Sequence, residues 1–152
     1  GLYIEALKNY TYKNKDLKFF KKLCNYLSQE EKEKFIQKVK KNYTSLFYVQ
    51  ILEQEKRYDD ILAYLKEEKF SSYYFTDVIR PILNLFPDVI YNSIIVKCNR
   101  LLSLENKNEK TYKEVSKLLK LLKKINSKKE EAELIINEYL RENGKLNKYF
   151  VK

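Results

Sequence analysis

Hydrophobic and polar residues alternate along the chain with the period of an α-helix. Apolar side chains return every three or four positions, which collects them on one face of each segment. The stretch after residue 16 is typical, with apolar residues at Leu17, Phe20, Leu23, Cys24 and Leu27. Glycine and proline, which strand-and-turn folds need for their turns, occur only twice each. The pattern therefore predicts an all-α fold.

Short polar corners divide this pattern into helical segments. Ser28 and Glu31 have the spacing of a capping box, in which two side chains satisfy free N–H groups at the start of a helix. Pro81 is expected to bend or break its segment, whereas Pro87 suits the first turn of the next helix. Gly144 is expected to cap the last long helix. Helices are predicted on either side of Ser28 and at residues 2–10, 45–54, 58–67, 71–86, 88–104, 110–125 and 129–143.

Consecutive segments of this length are typical of antiparallel helical hairpins that stack and share a continuous core. We expect about eight to ten helices in a degenerate, tetratricopeptide-like α-α superhelix. The repeat is degenerate because close helix packing needs small residues, and the only alanines are Ala6, Ala63 and Ala132. A length of 152 residues favours a single helical domain over residues 1–152. The absence of methionine indicates a fragment of a longer protein.

The net charge of +10 points to an anionic partner, but the kind of basic residue that produces this charge weakens that inference. Only four of the 31 basic residues are arginine, the residue that binds phosphate in a bidentate fork. Residues 97–129 contain eleven basic and three acidic residues, so much of the excess lies there.

The segment TYKEVSKLLKLLKKI, residues 111–125, is the clearest amphipathic helix of this basic region. Helical spacing places apolar residues on one half and lysines in a narrow arc on the other. The lysines either contact the phosphates of a nucleic acid or form the solvated face of a packed helix, and we favour the second. The leucines are expected to pack on a partner helix, so no membrane role is expected. The candidates for polyanion contact are Lys110, Lys113, Lys117, Lys120 and Lys124.

Tyrosine is abundant, with fourteen copies. In the stretch FSSYYF, Tyr73, Tyr74 and Phe75 are candidates for the aromatic lining of a peptide-binding groove. Aromatic side chains at such positions also serve as core filling with tyrosine hydroxyls at the rim, and we favour that interpretation.

Residues able to carry out catalysis are scarce. The chain has no histidine, and its single internal glycine cannot form a phosphate-binding loop. We therefore predict no catalytic, metal-binding or cofactor-binding residues and no enzyme activity. Cys24 and Cys98, far apart and outside any CxxC motif, are expected to be buried, unpaired thiols in the cytoplasm. No apolar run reaches the ~18 residues that a membrane span requires.

The last third of the chain, TYKEVSKLLKLLKKINSKKEEAELIINEYLRENGKLNKYF, carries a family resemblance. It resembles the helical tail found downstream of SWIM zinc fingers in low-GC bacteria. The shared elements are a Tyr-led helix with a Leu-Lys-Lys ending, a helix with Leu-Arg-Glu, and a short closing helix at residues 146–151. The resemblance implies a tetratricopeptide-like accessory region of a larger intracellular protein, whose cysteine and histidine metal motif would lie upstream of Gly1.

Two functions remain open. We favour a protein-protein interaction or scaffolding module, a function that an exposed aromatic groove would support. The alternative is a nucleic-acid-binding accessory domain that uses the basic surface of residues 97–129. A continuous basic face without acidic neighbours would support this alternative. The sequence does not indicate an oligomeric state.

Overall fold

The computed structural model describes residues 1–42 and 45–150. Over these residues the chain forms ten α-helices and a few single 3-10 turns, and it contains no strand. The predicted all-α fold and number of helices are confirmed. The tetratricopeptide-like superhelix stays a prediction. The closing helix predicted up to residue 151 lies partly outside the described residues.

The chain divides into two compact units, Gly1–Pro81 and Ile82–Lys152, called unit 1 and unit 2 below. The expectation of one domain stays a prediction. Unit 1 contains six helices: α1 (Leu2–Asn14), α2 (Leu17–Leu23), α3 (Gln29–Lys41), α4 (Ser45–Gln54), α5 (Tyr58–Glu67) and α6 (Phe75–Ile79). Unit 2 contains four: α7 (Pro87–Leu102), α8 (Glu109–Leu122), α9 (Lys129–Glu142) and α10 (Asn147–Phe150).

Helix α4 is the central helix of unit 1. Its sequence SLFYVQILEQ has no charged residue before Glu53, so it has no broad polar face to turn to water. It packs against α2, α3, α5 and α6, and Phe47, Ile51 and Leu52 are buried. The fully buried residues that other helices contribute to this core are Phe20, Leu23, Ile36, Val39, Ile61, Val78 and Ile79.

Local signals set several helix ends in unit 1. The predicted capping box is present, because the backbone N–H of Glu31 donates to Ser28 Oγ at 3.1 Å and the N–H of Ser28 donates to Glu31 Oε1 at 3.1 Å. Asp16 caps α2 by accepting a hydrogen bond from the N–H of Lys18. The helix predicted at residues 71–86 is interrupted as Pro81 requires, since α6 ends at Ile79 and a 3-10 turn follows.

Helix α8 is the central helix of unit 2 and packs against α7, α9 and α10. It starts at a second capping box, which the sequence analysis missed, formed by Asn108 and Thr111. Pro87 occupies the first turn of α7, as predicted. The cap predicted at Gly144 is wrong by one position: α9 ends with Asn143 as its C-cap, and Gly144 opens a 3-10 turn. Gly144 lacks the positive φ angle of a glycine cap.

Candidate interaction surfaces

The candidate lysines for polyanion contact reach solvent along α8, as the favoured interpretation of a solvated face requires. Lys110, Lys113 and Lys117 are exposed, and Lys120 is partly exposed. Their spacing of three or four residues places them along one side of the helix. Lys124 is also exposed but lies beyond the end of α8.

The opposite side of α8 is packed. Eight of its fourteen residues are buried, and Val115, Leu119 and Leu122 have no exposed surface. The prediction that the leucines serve packing is therefore confirmed. No helix in the described part of the chain is long and apolar enough to cross a bilayer.

Ion pairing leaves most of these lysines free. Lys113 pairs with Glu109 one turn earlier, at 2.9 Å. Within residues 1–42 and 45–150, Lys110, Lys117 and Lys120 form no ion pair. The acidic residues of α9 make other contacts. Glu131 lies 3.7 Å from Lys128. Glu138 and Glu142 line a cleft beside α7.

Helix α10 brings two aromatic rings to this basic side of α8, which the sequence analysis did not foresee. Tyr149 stacks in parallel with Tyr112 of α8 at a centroid distance of 6.3 Å, and its carbonyl oxygen accepts a hydrogen bond from Ser116 Oγ at 3.0 Å. The Phe150 ring lies 6.0 Å from Lys120 Nζ and 5.8 Å from Lys123 Nζ. Both α10 rings are partly exposed. The lysine side of α8 therefore carries aromatic surface as well as charge.

A cleft opens beside Phe150. Its volume is about 410 Å³, and its lining combines two lysines with apolar and amide groups. Lys129 Nζ donates a hydrogen bond to the Lys123 carbonyl oxygen at 3.1 Å, and this bond holds the Lys129 ammonium group at the cleft. The lining residues are Lys123, Lys129, Glu133, Ile136, Asn137 and Phe150. We call this the Phe150 cleft.

The three aromatic residues that were candidates for a peptide groove are not equivalent. Tyr73 is 81% exposed on a 3-10 turn, and its ring meets that of Tyr74 edge to face at 5.1 Å. Tyr74 is partly buried. Phe75 is buried in the core of unit 1 as the first residue of α6, so its ring is not available to a ligand. Core filling, the interpretation we favoured, holds for Phe75.

A larger aromatic surface joins α1 and α2 in unit 1. The Tyr3 and Tyr26 rings meet edge to face at 5.5 Å, and those of Tyr10 and Phe19 at 4.7 Å. Three of these side chains are about half exposed, at 52% for Tyr3, 48% for Tyr10 and 45% for Tyr26. Leu2 is 92% exposed beside them in the sequence. We call these five residues the α1–α2 aromatic surface.

Exposed lysines lie close in sequence to the residues of the α1–α2 aromatic surface. Residues 13–22 contain five lysines and one acidic residue, Asp16, whose carboxylate is engaged in capping α2. In the part of the chain that the structure describes, none of these lysines forms an ion pair, and all are exposed. They are Lys13, Lys15, Lys18, Lys21 and Lys22. This region was not among the predicted sites, although tyrosine, phenylalanine and lysine alternate in its sequence.

The two cysteines differ in burial. Cys98 of α7 is buried, as predicted, and burial, together with the charge of Glu114, raises the pKa of its thiol to about 12. Cys24 at the end of α2 is only partly buried, so the prediction of burial is wrong there; desolvation still raises its pKa. Both are free thiols. The described residues contain no group of three or more potential metal ligands.

No protein-family model, curated protein or solved structure matches the chain. The resemblance to the SWIM-associated helical region therefore stays a prediction.

Proposed function

We propose that the chain is a non-catalytic, cytoplasmic interaction module that binds an acidic segment of a partner protein. The proposed binding site is the α1–α2 aromatic surface. The observation that carries this proposal is the combination of four aromatic rings, which pair α1 with α2 and with the turn after it, and five exposed lysines that have no ion-pair partner among the described residues.

The aromatic rings suit a protein ligand. Tyrosine is enriched in protein interfaces because a large ring buries apolar area at a small cost in side-chain entropy, while its hydroxyl can hydrogen-bond. Edge-to-face pairing orients Tyr3 and Tyr10 before a ligand arrives, which reduces the ordering cost of binding. Leu2 adds exposed aliphatic surface, which complements a partner's apolar side chains.

The exposed lysines determine which charge a partner must carry. Because these lysines form no ion pair within residues 1–42 and 45–150, a partner carrying aspartate or glutamate gains new ion pairs without breaking old ones there. Exposed pairs add about 1 kcal/mol or less each, so they serve mainly to steer association and to select an acidic partner. The apolar contacts then supply most of the affinity.

Selection from a displayed library of random twelve-residue peptides tests the proposal. The immobilised chain should enrich peptides with several acidic residues and at least one large apolar residue. Anisotropy titration of a labelled, enriched peptide should show weaker binding for Tyr10→Ala, by about tenfold, as expected for an interface anchor. Lys22→Gln should slow association and reduce its salt dependence.

Tyr73→Ala is the matched control, since Tyr73 is another exposed tyrosine of unit 1 that is paired edge to face. It should leave the affinity unchanged, and circular dichroism should show all three variants folded. Enrichment of peptides without acidic residues would contradict the proposal. A loss of binding in Tyr73→Ala with none in Tyr10→Ala would move the site to the Tyr73 and Tyr74 pair.

A further inference from the structure

A second surface, in unit 2, has a different arrangement of the same residue types. We propose that it binds single-stranded nucleic acid, with one base in the Phe150 cleft and the backbone phosphates along the α8 lysines. This proposal concerns other residues than those of the α1–α2 aromatic surface, and each can fail without the other.

The cleft has the chemistry of a base-binding site. Phe150 lines the cleft, and stacking on an aromatic ring is the sequence-tolerant contact that proteins make with unpaired bases. Ile136 supplies apolar surface on the lining, and Asn137 supplies an amide that can both donate and accept hydrogen bonds. Glu133 supplies an acceptor for the amino or imino groups of a base.

The lysines lie where the phosphates of a bound strand would run. Lys120 and Lys123 flank the Phe150 ring at 6.0 Å and 5.8 Å. From there Lys117, Lys113 and Lys110 continue along α8 at helical spacing. Ten residues of helix rise about 15 Å, so the row accompanies several phosphates of an extended strand. A basic track beside an aromatic ring is the usual arrangement for binding single strands.

The geometry favours single strands over duplex. A base must leave its stack to enter a cleft, and unpairing costs a few kcal/mol in a duplex but little in a single strand. A surface that recognised only phosphate charge would show no such preference, because a duplex offers a higher density of charge. An acidic peptide would profit from the lysines but has no base to place against Phe150.

Fluorescence anisotropy with three labelled probes at about 150 mM salt tests the proposal: a twelve-nucleotide oligothymidylate, a duplex of twelve base pairs, and a twelve-residue polyglutamate. We expect the single strand to bind at least fivefold more tightly than either of the others. Phe150→Leu keeps apolar bulk but removes the ring, and should weaken binding of the single strand about tenfold. Equal affinity for single strand and duplex, tighter binding of polyglutamate, or an unchanged affinity of Phe150→Leu would overturn the proposal.

The salt dependence provides a second test with a matched control. Changing Lys110, Lys113, Lys117 and Lys120 to glutamine should flatten the slope of log affinity against log salt by about three, as four lost phosphate contacts to a single strand predict. Four substitutions in unit 1 remove the same charge elsewhere and should leave the affinity and slope for oligothymidylate nearly unchanged: Lys13→Gln, Lys15→Gln, Lys18→Gln and Lys21→Gln. An equal effect of both quadruple variants would show attraction to net charge alone and would overturn the site.

Discussion

The α1–α2 aromatic surface of unit 1 with its neighbouring lysines, and the basic side of α8 in unit 2, combine the same residue types, lysine and aromatic residues. They differ in what the rings contact. In unit 1 the rings pair with each other, Tyr3 with Tyr26 and Tyr10 with Phe19. In unit 2 the Phe150 ring lies beneath two ammonium groups and borders a cleft.

This difference matters more for function than composition does. Rings that pair edge to face present a continuous apolar surface with hydroxyls, which matches the side chains of a peptide. A single ring bordered by cations and a cleft matches a flat base followed by a phosphate. Net charge alone would have assigned both regions to the same class of anionic partner.

The largest expected effect comes from a substitution on the buried side of α8, beneath the lysines of unit 2. Leu119→Ala should lower the free energy of unfolding by about 3 to 5 kcal/mol, because it removes a fully buried side chain from the central helix and leaves a cavity. Urea denaturation measures the change. Lys117→Gln on the exposed side of the same helix should change stability by no more than about 0.5 kcal/mol. A loss below about 1 kcal/mol for Leu119→Ala would show that the α8 leucines are not core residues.

A smaller difference should separate the two thiols, one in each unit. Cys24 is partly exposed, whereas Cys98 is buried and has a pKa of about 12. Because the thiolate is the reactive form, a disulfide reagent at pH 8 should label Cys24 at least about tenfold faster than Cys98. Mass spectrometry of the labelled native chain measures both rates. Cys24→Ser should abolish the fast phase; equal rates for both thiols would contradict the burial of Cys98.

The smallest expected effect is electrostatic. Arg57 at the start of α5 holds Glu33 of α3 by two hydrogen bonds, of 2.6 Å and 3.2 Å, and these bonds lower the pKa of Glu33. Glu33→Gln should therefore destabilise the chain at pH 7 by no more than about 1 kcal/mol, since the carboxylate is half exposed.

The pH dependence of that effect has a definite sign. A lowered folded-state pKa adds stability above the ordinary glutamate pKa of about 4.3, and this stability is lost as the pH falls through the lower folded-state value. Urea denaturation should thus show a difference between wild type and Glu33→Gln at pH 7 that shrinks once the pH falls below the ordinary glutamate pKa of about 4.3. Asp88→Asn, which breaks a single contact with Lys128 at 2.6 Å in unit 2, should cost less. A larger cost for Asp88→Asn would contradict the assignment of the stronger pair to unit 1.

Much of the local structure followed from the sequence by itself. Helix α4 and helix α5 have the bounds that the apolar spacing predicted. The capping box at Ser28 and the break at Pro81 were also predicted correctly. These features depend on contacts within a few residues, so the local sequence contains the information. Helical spacing alone also separates the lysine side of α8 from Leu118, Leu119 and Leu122.

Only the tertiary structure decided which aromatic residues are available to a ligand. Phe75 and Tyr73 are two residues apart, yet the first is buried and the second exposed. Tyr149 and Phe150 come to the lysines of α8 because α10 packs on that helix, some thirty residues away in sequence. Cys24 lies on the apolar side of its segment but is only partly covered. Helical periodicity determines which residues share a face, whereas burial of that face depends on distant segments that pack against it.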